Sequence, residues 1–234
     1  MHPAPVDSPS RPPAPRTAAL TAAALAAPSV LLLVLVAVSW RPLMTLDGDI
    51  ATTTHRWAVE HRGITHASRI LTDWVWDPQT MRVLCAAAVV GLLWRRRARL
   101  ALWVAATCAL AALAQNALKA AVGRPRPVWP NPVDSAHYAA FPSGHAMTAT
   151  VVCGLLLWLL HRHGAGRLLW GTALTVAVVS VVGVGLTRIW LGVHWPSDVL
   201  GGWLLGALLV ALAAASYERW CRGEEEPVRR ERRP

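Results

Sequence analysis

Residues 168–187 read LLWGTALTVAVVSVVGVGLT, twenty positions without a charged side chain. A helix of about 20 largely apolar residues is long enough to cross the hydrocarbon core of a bilayer. Uninterrupted apolar runs of this length indicate a membrane span rather than a helix on the surface of a soluble domain. This stretch therefore predicts a transmembrane helix.

The composition of the whole chain also indicates a membrane protein. Hydrophobic residues make up 54% of the 234 positions and charged residues 15%, whereas an ordinary soluble domain has about 25% charged residues. Disordered chains are poor in apolar residues, so disorder is excluded for most of the length. The net charge of +10 is typical of nucleic-acid binding proteins. Here, however, the arginines lie between apolar runs, so we expect the bilayer as partner and no nucleic acid.

The apolar runs predict an all-α fold, a polytopic membrane bundle of six transmembrane helices. The runs cover residues 19–40, 83–94, 100–118, 143–160, 168–187 and 199–217. The second run reaches crossing length only if its helix begins near Pro78 and Arg82 extends its charge to the interface.

Residues outside these runs are polar or mixed. Residues 46–76 interleave apolar and charged side chains, which predicts one or two amphipathic helices on the outer surface, with His55 exposed. Residues 1–18 are rich in proline, so we expect a disordered cytoplasmic tail. Residues 19–217 would form the membrane domain, and 218–234 a charged cytoplasmic tail.

The distribution of basic residues predicts the orientation. With the N-terminus inside, 14 of the 23 Lys and Arg residues lie on the cytoplasmic side and nine on the opposite side. This bias follows the positive-inside rule, and six spans place both termini in the cytoplasm. We therefore expect a multi-pass protein of the plasma membrane.

Three polar clusters fall together on the outer side in this topology. They are KAAVGRPRP at 119–127, FPSGH at 141–145 and TRIWLGVHWPSD at 187–198. Lys119, Arg126 and Arg188 bring three cations from separate helix ends, and such groups suit phosphate oxygens. Ser143 and Gly144 open a helix, whose free N–H groups favour an anion.

Two histidines and one acid complete the candidate site. His145 and His194 come from different helices, and Asp198 lies four residues after His194, a spacing that lets its carboxylate fix the tautomer of the imidazole. One imidazole would attack phosphorus and the other would protonate the leaving oxygen. Three basic side chains can neutralise the phosphate oxygens, and the outer side lacks the clustered carboxylates of a two-metal site. We therefore expect neither a metal nor a cofactor.

The motifs Lys-x6-Arg-Pro, Pro-Ser-Gly-His and Arg-x5-His-x3-Asp, in this order, resemble the signature of the type 2 phosphatidic acid phosphatase superfamily. This superfamily includes membrane lipid phosphatases, polyprenyl diphosphate phosphatases and vanadium haloperoxidases. The resemblance implies that His194 is the nucleophile, that Asp198 orients it, and that His145 is the general acid and then the base. It also implies a set of residues that bind the phosphate oxygens: Lys119, Arg126, Ser143, Gly144 and Arg188. Thr187 departs from the pattern, because the family often has serine there.

The expected function is that of an integral membrane phosphatase acting on a lipid phosphate or diphosphate at the outer leaflet. A polyprenyl diphosphate or a phosphatidate-like glycerolipid is the expected substrate. Two alternatives stay open: a lipid phosphotransferase that uses the same phosphohistidine, and a non-enzymatic transporter or scaffold. Arg124, inside the first motif, is expected to add positive potential without a part in the chemistry. Gly202 and Gly206 are expected to allow close helix packing.

Overall fold

In the computed structural model, residues 15–231 are described, with side chains from Leu20 to Cys221, and the regular secondary structure of this part of the chain is all helical, with no strand. The helices are α1 (Pro15–Ala37), α2 (Arg41–Glu60), α3 (Arg62–Ile70), α4 (Pro78–Trp94), α5 (Ala98–Val122), α6 (Gly144–Arg162), α7 (Arg167–Trp190) and α8 (Pro196–Glu231), with a π-helical turn at Leu71–Val75. The all-α prediction is confirmed. The predicted disordered tail lies outside the described residues up to position 14, and α1 begins at Pro15.

Within the described residues, five helices are long and apolar enough to cross a membrane. These segments are Leu20–Ala37, Ala98–Val122, Gly144–Arg162, Arg167–Trp190 and Pro196–Cys221. Large apolar side chains such as Leu102, Leu113 and Leu168 are exposed on the outside of the bundle, as expected where lipid rather than water surrounds the helices.

The second predicted span falls in α4, which has 17 residues and is not among these five. The predicted count of six is therefore not confirmed and stays a prediction. The start of the helix was predicted correctly: α4 begins at Pro78, and the Asp77 carboxylate accepts hydrogen bonds from the backbone N–H groups of Gln79 at 2.6 Å and Thr80 at 3.2 Å. A side-chain acceptor before the first turn satisfies N–H groups that the helix leaves unpaired.

Helix α6 lies at the centre of the bundle and packs against α4, α5, α7 and α8. On α8, a Cβ atom built at Gly202 would lie 2.8 Å from the Ser143 carbonyl oxygen, and one at Gly206 would lie 2.9 Å from Cβ of Thr150. The two glycines therefore let α8 approach α6 closely, which confirms the predicted packing role. This contact places the N-terminal ends of α6 and α8 side by side.

The segment between the first and second predicted spans forms α2, α3 and the π turn, so the predicted helices are present. The buried positions of α2 are Asp47, Ala51, His55 and Ala58, a spacing of about one turn that presents one face to α7 and α8. The expectation that His55 is exposed was wrong. Its ring stacks on Trp129 with the centroids 4.2 Å apart, because this face of α2 packs over the loops of the candidate site.

Candidate active site

The three motifs lie at the same end of the bundle because four helices start or end there. Lys119 is in the last turn of α5, which ends at Gly123 in a left-handed conformation (φ +59°). The loop that follows is closed by a hydrogen bond from Ala140 N–H to the Arg124 carbonyl at 2.8 Å. A second backbone bond, 2.9 Å from Ser143 N–H to the Asp198 carbonyl, joins the second motif to the third.

His194 lies at the centre of the site and is almost completely buried. Its Nε2 atom is 3.1 Å from Nη1 of Arg126, and its Nδ1 atom is 3.3 Å from Oδ2 of Asp198. A guanidinium can only donate hydrogen bonds, so Nε2 accepts and Nδ1 carries the proton that is donated to Asp198. This tautomer keeps a lone pair on Nε2, as a nucleophile requires.

The charge state of His194, like its tautomer, is the one that a nucleophile requires. Burial lowers the pKa of its imidazole well below the ordinary value of 6.5, and the positive charges of Arg126, Arg188 and Lys119 lower the pKa further. The folded protein therefore holds the ring neutral at physiological pH. A neutral imidazole is the form that can attack phosphorus.

Asp198 is fully buried in the first turn of α8. Besides His194, its Oδ2 atom accepts a hydrogen bond from Trp195 N–H at 2.9 Å, and its Oδ1 atom accepts one from Nη1 of Arg124 at 2.6 Å. The carboxylate thus forms hydrogen bonds with both the imidazole and the backbone N–H that precedes the helix.

Backbone carbonyl groups hold Lys119 and Arg126, two of the three cations of the first motif. Arg126 donates to the Tyr138 carbonyl at 2.9 Å, the His137 carbonyl at 3.1 Å and the Val193 carbonyl at 2.5 Å. Lys119 is held by the same loop, since its Nζ donates to the carbonyl of residue 139 at 2.5 Å. Burial, and secondly Arg188, lowers the pKa of Arg126 to about 10, so its guanidinium remains charged at neutral pH.

Two buried polar atoms at the site lack hydrogen-bond partners among the described residues. They are Nε of Arg188 and Oγ of Ser143. Arg188 otherwise contacts Thr72 Oγ1 at 3.4 Å and Asp134 Oδ2 at 3.6 Å. Ser143 is at the N-cap position of α6, but its hydroxyl makes no capping hydrogen bond to that helix. Because buried polar atoms are nearly always paired, two free donors beside His194 are suited to an anion with several oxygens.

His145 occupies the first turn of α6 and is half-buried. Its imidazole interacts electrostatically with Arg188, His194, Arg126 and Lys119, so it belongs to the same pocket. Gly144 precedes it and contributes the first backbone N–H of α6. All eight predicted site residues are therefore brought together, while their roles in the chemistry stay predictions.

Two further residues of the site escaped prediction. Arg124 is buried and forms ion pairs with Asp47 at 2.7 Å and Asp198 at 2.6 Å, so it does more than add positive potential. Asp47 was hidden in a mixed segment, and the only signal for it was its place on the apolar face of α2. At Thr187, the hydroxyl bonds to the Val184 carbonyl at 2.8 Å, so the replacement of serine affects the helix rather than the pocket.

These observations define a class: a multi-pass helical membrane protein that gathers two histidines and three cations at one end of the bundle. The chain belongs to the PAP2 superfamily, whose family model matches residues 100–222. The structure is similar, with a TM-score of 0.69 and 25% identity, to the crystal structure of a transmembrane PAP2 type phosphatidylglycerolphosphate phosphatase from Bacillus subtilis. The likeness covers 85% of this chain and 96% of that one.

Curated relatives give the same family. Phosphatidylglycerophosphatase B of Bacillus subtilis is 34% identical over 46% of this chain and 53% of its own length. Decaprenylphosphoryl-5-phosphoribose phosphatase of Mycobacterium tuberculosis is 36% identical over 64% of this chain and 75% of its own. Undecaprenyl-diphosphatase of Sulfolobus acidocaldarius is 33% identical over 36% of this chain and 34% of its own length. The chain thus spans about half the length of the first relative, and all three relatives are named as phosphatases.

Proposed function

We propose that this protein hydrolyses the phosphate monoester or diphosphate of a membrane lipid through a phosphohistidine on His194, without a metal ion. The observation that carries the proposal is the hydrogen bonding of His194. Its Nδ1–H is donated to Asp198 and its Nε2 lone pair is directed at Arg126. A buried, neutral imidazole held in this tautomer beside three cations is suited to attack on a phosphoryl group.

The reaction would proceed in two steps. Nε2 of His194 attacks phosphorus, the bond from phosphorus to the lipid oxygen breaks, and His145 gives its proton to that oxygen. His145 then takes a proton from water, which attacks phosphorus and releases phosphate, and the bonding electrons return to Nε2. Asp198 stabilises the imidazolium formed in between. The unpaired donors of Arg188 and Ser143 support a role in binding the equatorial oxygens.

An apolar cleft supports a lipid substrate. A cavity of about 430 Å³ lies between α4, α6 and α7, with mainly apolar lining that includes Trp76, Leu84 and Leu156. Of its lining residues, Trp76 lies one turn after Thr72, whose hydroxyl contacts Arg188. A lipid whose phosphate occupies the pocket could leave its chain in this cleft and in the bilayer beside it. A polyprenyl diphosphate or a phosphatidate-like glycerolipid fits this description.

The positive-inside bias supports a pocket on the outer face of the plasma membrane, with both termini in the cytoplasm. Among the relatives, the names of two specify a polyprenyl-linked substrate and one a glycerophospholipid. These names support the two substrate classes without choosing between them.

The test is phosphate release by the purified protein in detergent. Undecaprenyl diphosphate, phosphatidate and phosphatidylglycerophosphate are each assayed with and without a chelator, for the wild type, His194→Ala and His161→Ala. His161 is exposed at the opposite end of α6, so it serves as the matched control. We expect release from at least one lipid, lost only in His194→Ala. If the phosphate passes to an added alcohol instead of water, the phosphotransferase is correct. If His194→Ala is as active as the wild type, the mechanism is refuted.

A further inference from the structure

Asp47 lies on α2, outside all three motifs, and is almost completely buried. Its Oδ2 atom is 2.7 Å from Nη2 of Arg124 and 2.5 Å from the Ser197 hydroxyl. Its Oδ1 atom accepts a hydrogen bond from Ser197 N–H at 2.9 Å. Both oxygens of this carboxylate are thus directed at the start of α8, where the third motif ends.

Arg124 connects Asp47 to Asp198, the residue that is hydrogen-bonded to His194. While Nη2 binds Asp47, its Nη1 atom donates to Asp198 Oδ1 at 2.6 Å and to Ser197 Oγ at 2.7 Å. The guanidinium also lies over the Trp195 ring, 5.6 Å from its centroid. The result is a continuous row of polar contacts that runs from Asp47 through Arg124 and Asp198 to Nδ1 of His194.

We propose that Asp47 and Arg124 are positioning residues for the nucleophile, which hold the Asp198 carboxylate in place and preserve its negative charge for His194. The activity part of this inference rests on the proposed phosphohistidine chemistry. The geometric part, in which the row of contacts fixes the tautomer of His194, does not depend on which substrate is used.

The charges explain why two acids are needed. Asp47, Arg124 and Asp198 together carry a net charge of −1 in a buried site. Arg124 alone beside Asp198 would form a neutral pair, and the charge on Asp198 would be largely cancelled. With Asp47 as a second partner for Arg124, a net negative charge remains next to His194. Phosphorylation at Nε2, with the proton kept on Nδ1, turns the imidazole into a cation that this charge stabilises.

A purely structural role would predict a different result. Asp47 would then only fasten α2 to α8, and its removal would lower stability while the folded enzyme kept its kcat. Positioning predicts instead that kcat falls in the folded enzyme while KM, which reflects binding by the phosphate donors, changes little. The two roles are therefore separable by kinetics on protein shown to be folded.

The experiment compares Asp47→Asn with Asp49→Asn in the full-length protein in detergent. Asp49 is exposed on the same helix, so its substitution removes the same charge from α2 without touching the row of contacts. For Asp47→Asn we expect kcat to fall by about 10- to 100-fold with KM within about 3-fold, as for loss of a charged hydrogen bond that acts on the transition state. For Asp49→Asn we expect both constants within about 2-fold of the wild type. A wild-type kcat in folded Asp47→Asn overturns the proposal.

Arg124→Lys and Arg124→Gln extend the test, and Arg124→Lys replaces Asp47→Asn if that variant does not fold. Lysine keeps the charge but lacks the fork that reaches two carboxylates, so it should retain more activity than glutamine and less than arginine. The double variant Asp47→Asn with Arg124→Gln should be about as slow as Arg124→Gln alone, because both substitutions interrupt one row. The proposal is contradicted if the two substitutions lower kcat independently, so that their effects on the activation free energy add in full. It is also contradicted by a wild-type kcat in Arg124→Lys.

A spectroscopic arm separates failure of this inference from failure of the proposed function. In ¹⁵N-histidine-labelled protein, the signals of His194 are assigned by their loss in His194→Gln. The wild type and Asp49→Asn should show a protonated Nδ1 and an unprotonated Nε2, whereas Arg124→Gln should show a mixture of tautomers. If no lipid is hydrolysed by the wild type, the proposed function fails and this arm still decides the positioning. Unchanged signals in Arg124→Gln refute it.

Discussion

Asp198→Asn is the substitution for which the structure predicts the largest effect at constant side-chain shape. The carboxylate accepts hydrogen bonds from three different groups: Nη1 of Arg124, the backbone N–H of Trp195 and Nδ1 of His194. An asparagine has one accepting oxygen and one donating NH2 group. If its oxygen faces Arg124, the NH2 group faces two donors. If the amide is reversed, the NH2 group faces the guanidinium.

Either orientation disturbs the nucleophile. With the NH2 group towards His194, Nδ1 becomes the acceptor and the proton moves to Nε2, which removes the attacking lone pair and places N–H against the Arg126 donor 3.1 Å away. With the amide reversed, a hydrogen bond between charged groups is lost, worth about 1.5–3 kcal/mol. In the serine protease triad, the matching change lowers kcat by about 10⁴ through the wrong tautomer. We therefore expect a fall of about 10³- to 10⁴-fold here, equal to about 4–5.5 kcal/mol in activation free energy.

The assay is phosphate release under saturating lipid, with KM and inhibition by inorganic phosphate measured in parallel. The donors proposed to bind phosphate are unchanged in Asp198→Asn, so KM and the inhibition constant should stay within about 5-fold of the wild type. Asp49→Asn serves as the control for loss of one acid at this end of the protein. A kcat within 10-fold of the wild type would show that Asp198 does not set the tautomer of His194, and the reasoning above would be wrong.

Three further predictions concern pH, metals and packing. The pKa of His194 lies well below 6.5 in the folded protein, and the ring attacks only when it is neutral. The fall of kcat/KM caused by protonation of His194 should therefore occur well below pH 6.5. A midpoint at or above pH 6.5 that belongs to His194 contradicts this prediction. Activity should survive a chelator, and loss that added divalent metal restores would refute the metal-free mechanism. Gly202→Ala should lower the melting temperature because its Cβ would lie 2.8 Å from a backbone oxygen, whereas Gly171→Ala, with nothing within 4 Å, should be neutral or slightly stabilising in the same thermal scan.

Local sequence signals were sufficient to predict the helices and to predict that the three motifs lie close together. Five of the six apolar runs have about the length of a span. Helix ends are marked by residues with defined backbone preferences, such as Pro78 at the start of α4 and Gly123 at the end of α5. The spacing from His194 to Asp198 is also local, because four residues across the first turn of a helix bring the two side chains together. The predicted contact between them is present at 3.3 Å.

Long-range packing could not be predicted in the same way. Asp47 and Arg124 are 77 residues apart in sequence, and neither belongs to a pattern that specifies a partner. His55 was expected to be exposed because it stands among charged residues, and only the docking of α2 over the loop containing Trp129 buries it. The span count is a different case: α4 is short, and whether 17 residues cross the bilayer depends on local thickness and tilt rather than on sequence alone.

The position of the buried ion pairs argues for a functional origin. Removing charged groups from water costs several kcal/mol for each ion, and well-packed apolar residues often replace a buried ion pair without loss of stability. A helix such as α2 could therefore be fastened to α8 by apolar contacts alone, as Ala51 and Ala58 already pack on the same face. Two acids and a guanidinium lie instead behind the imidazole that becomes a cation in the proposed phosphoryl transfer. Stability gives little reason for this arrangement, whereas control of the charge and tautomer of His194 accounts for each member of the row.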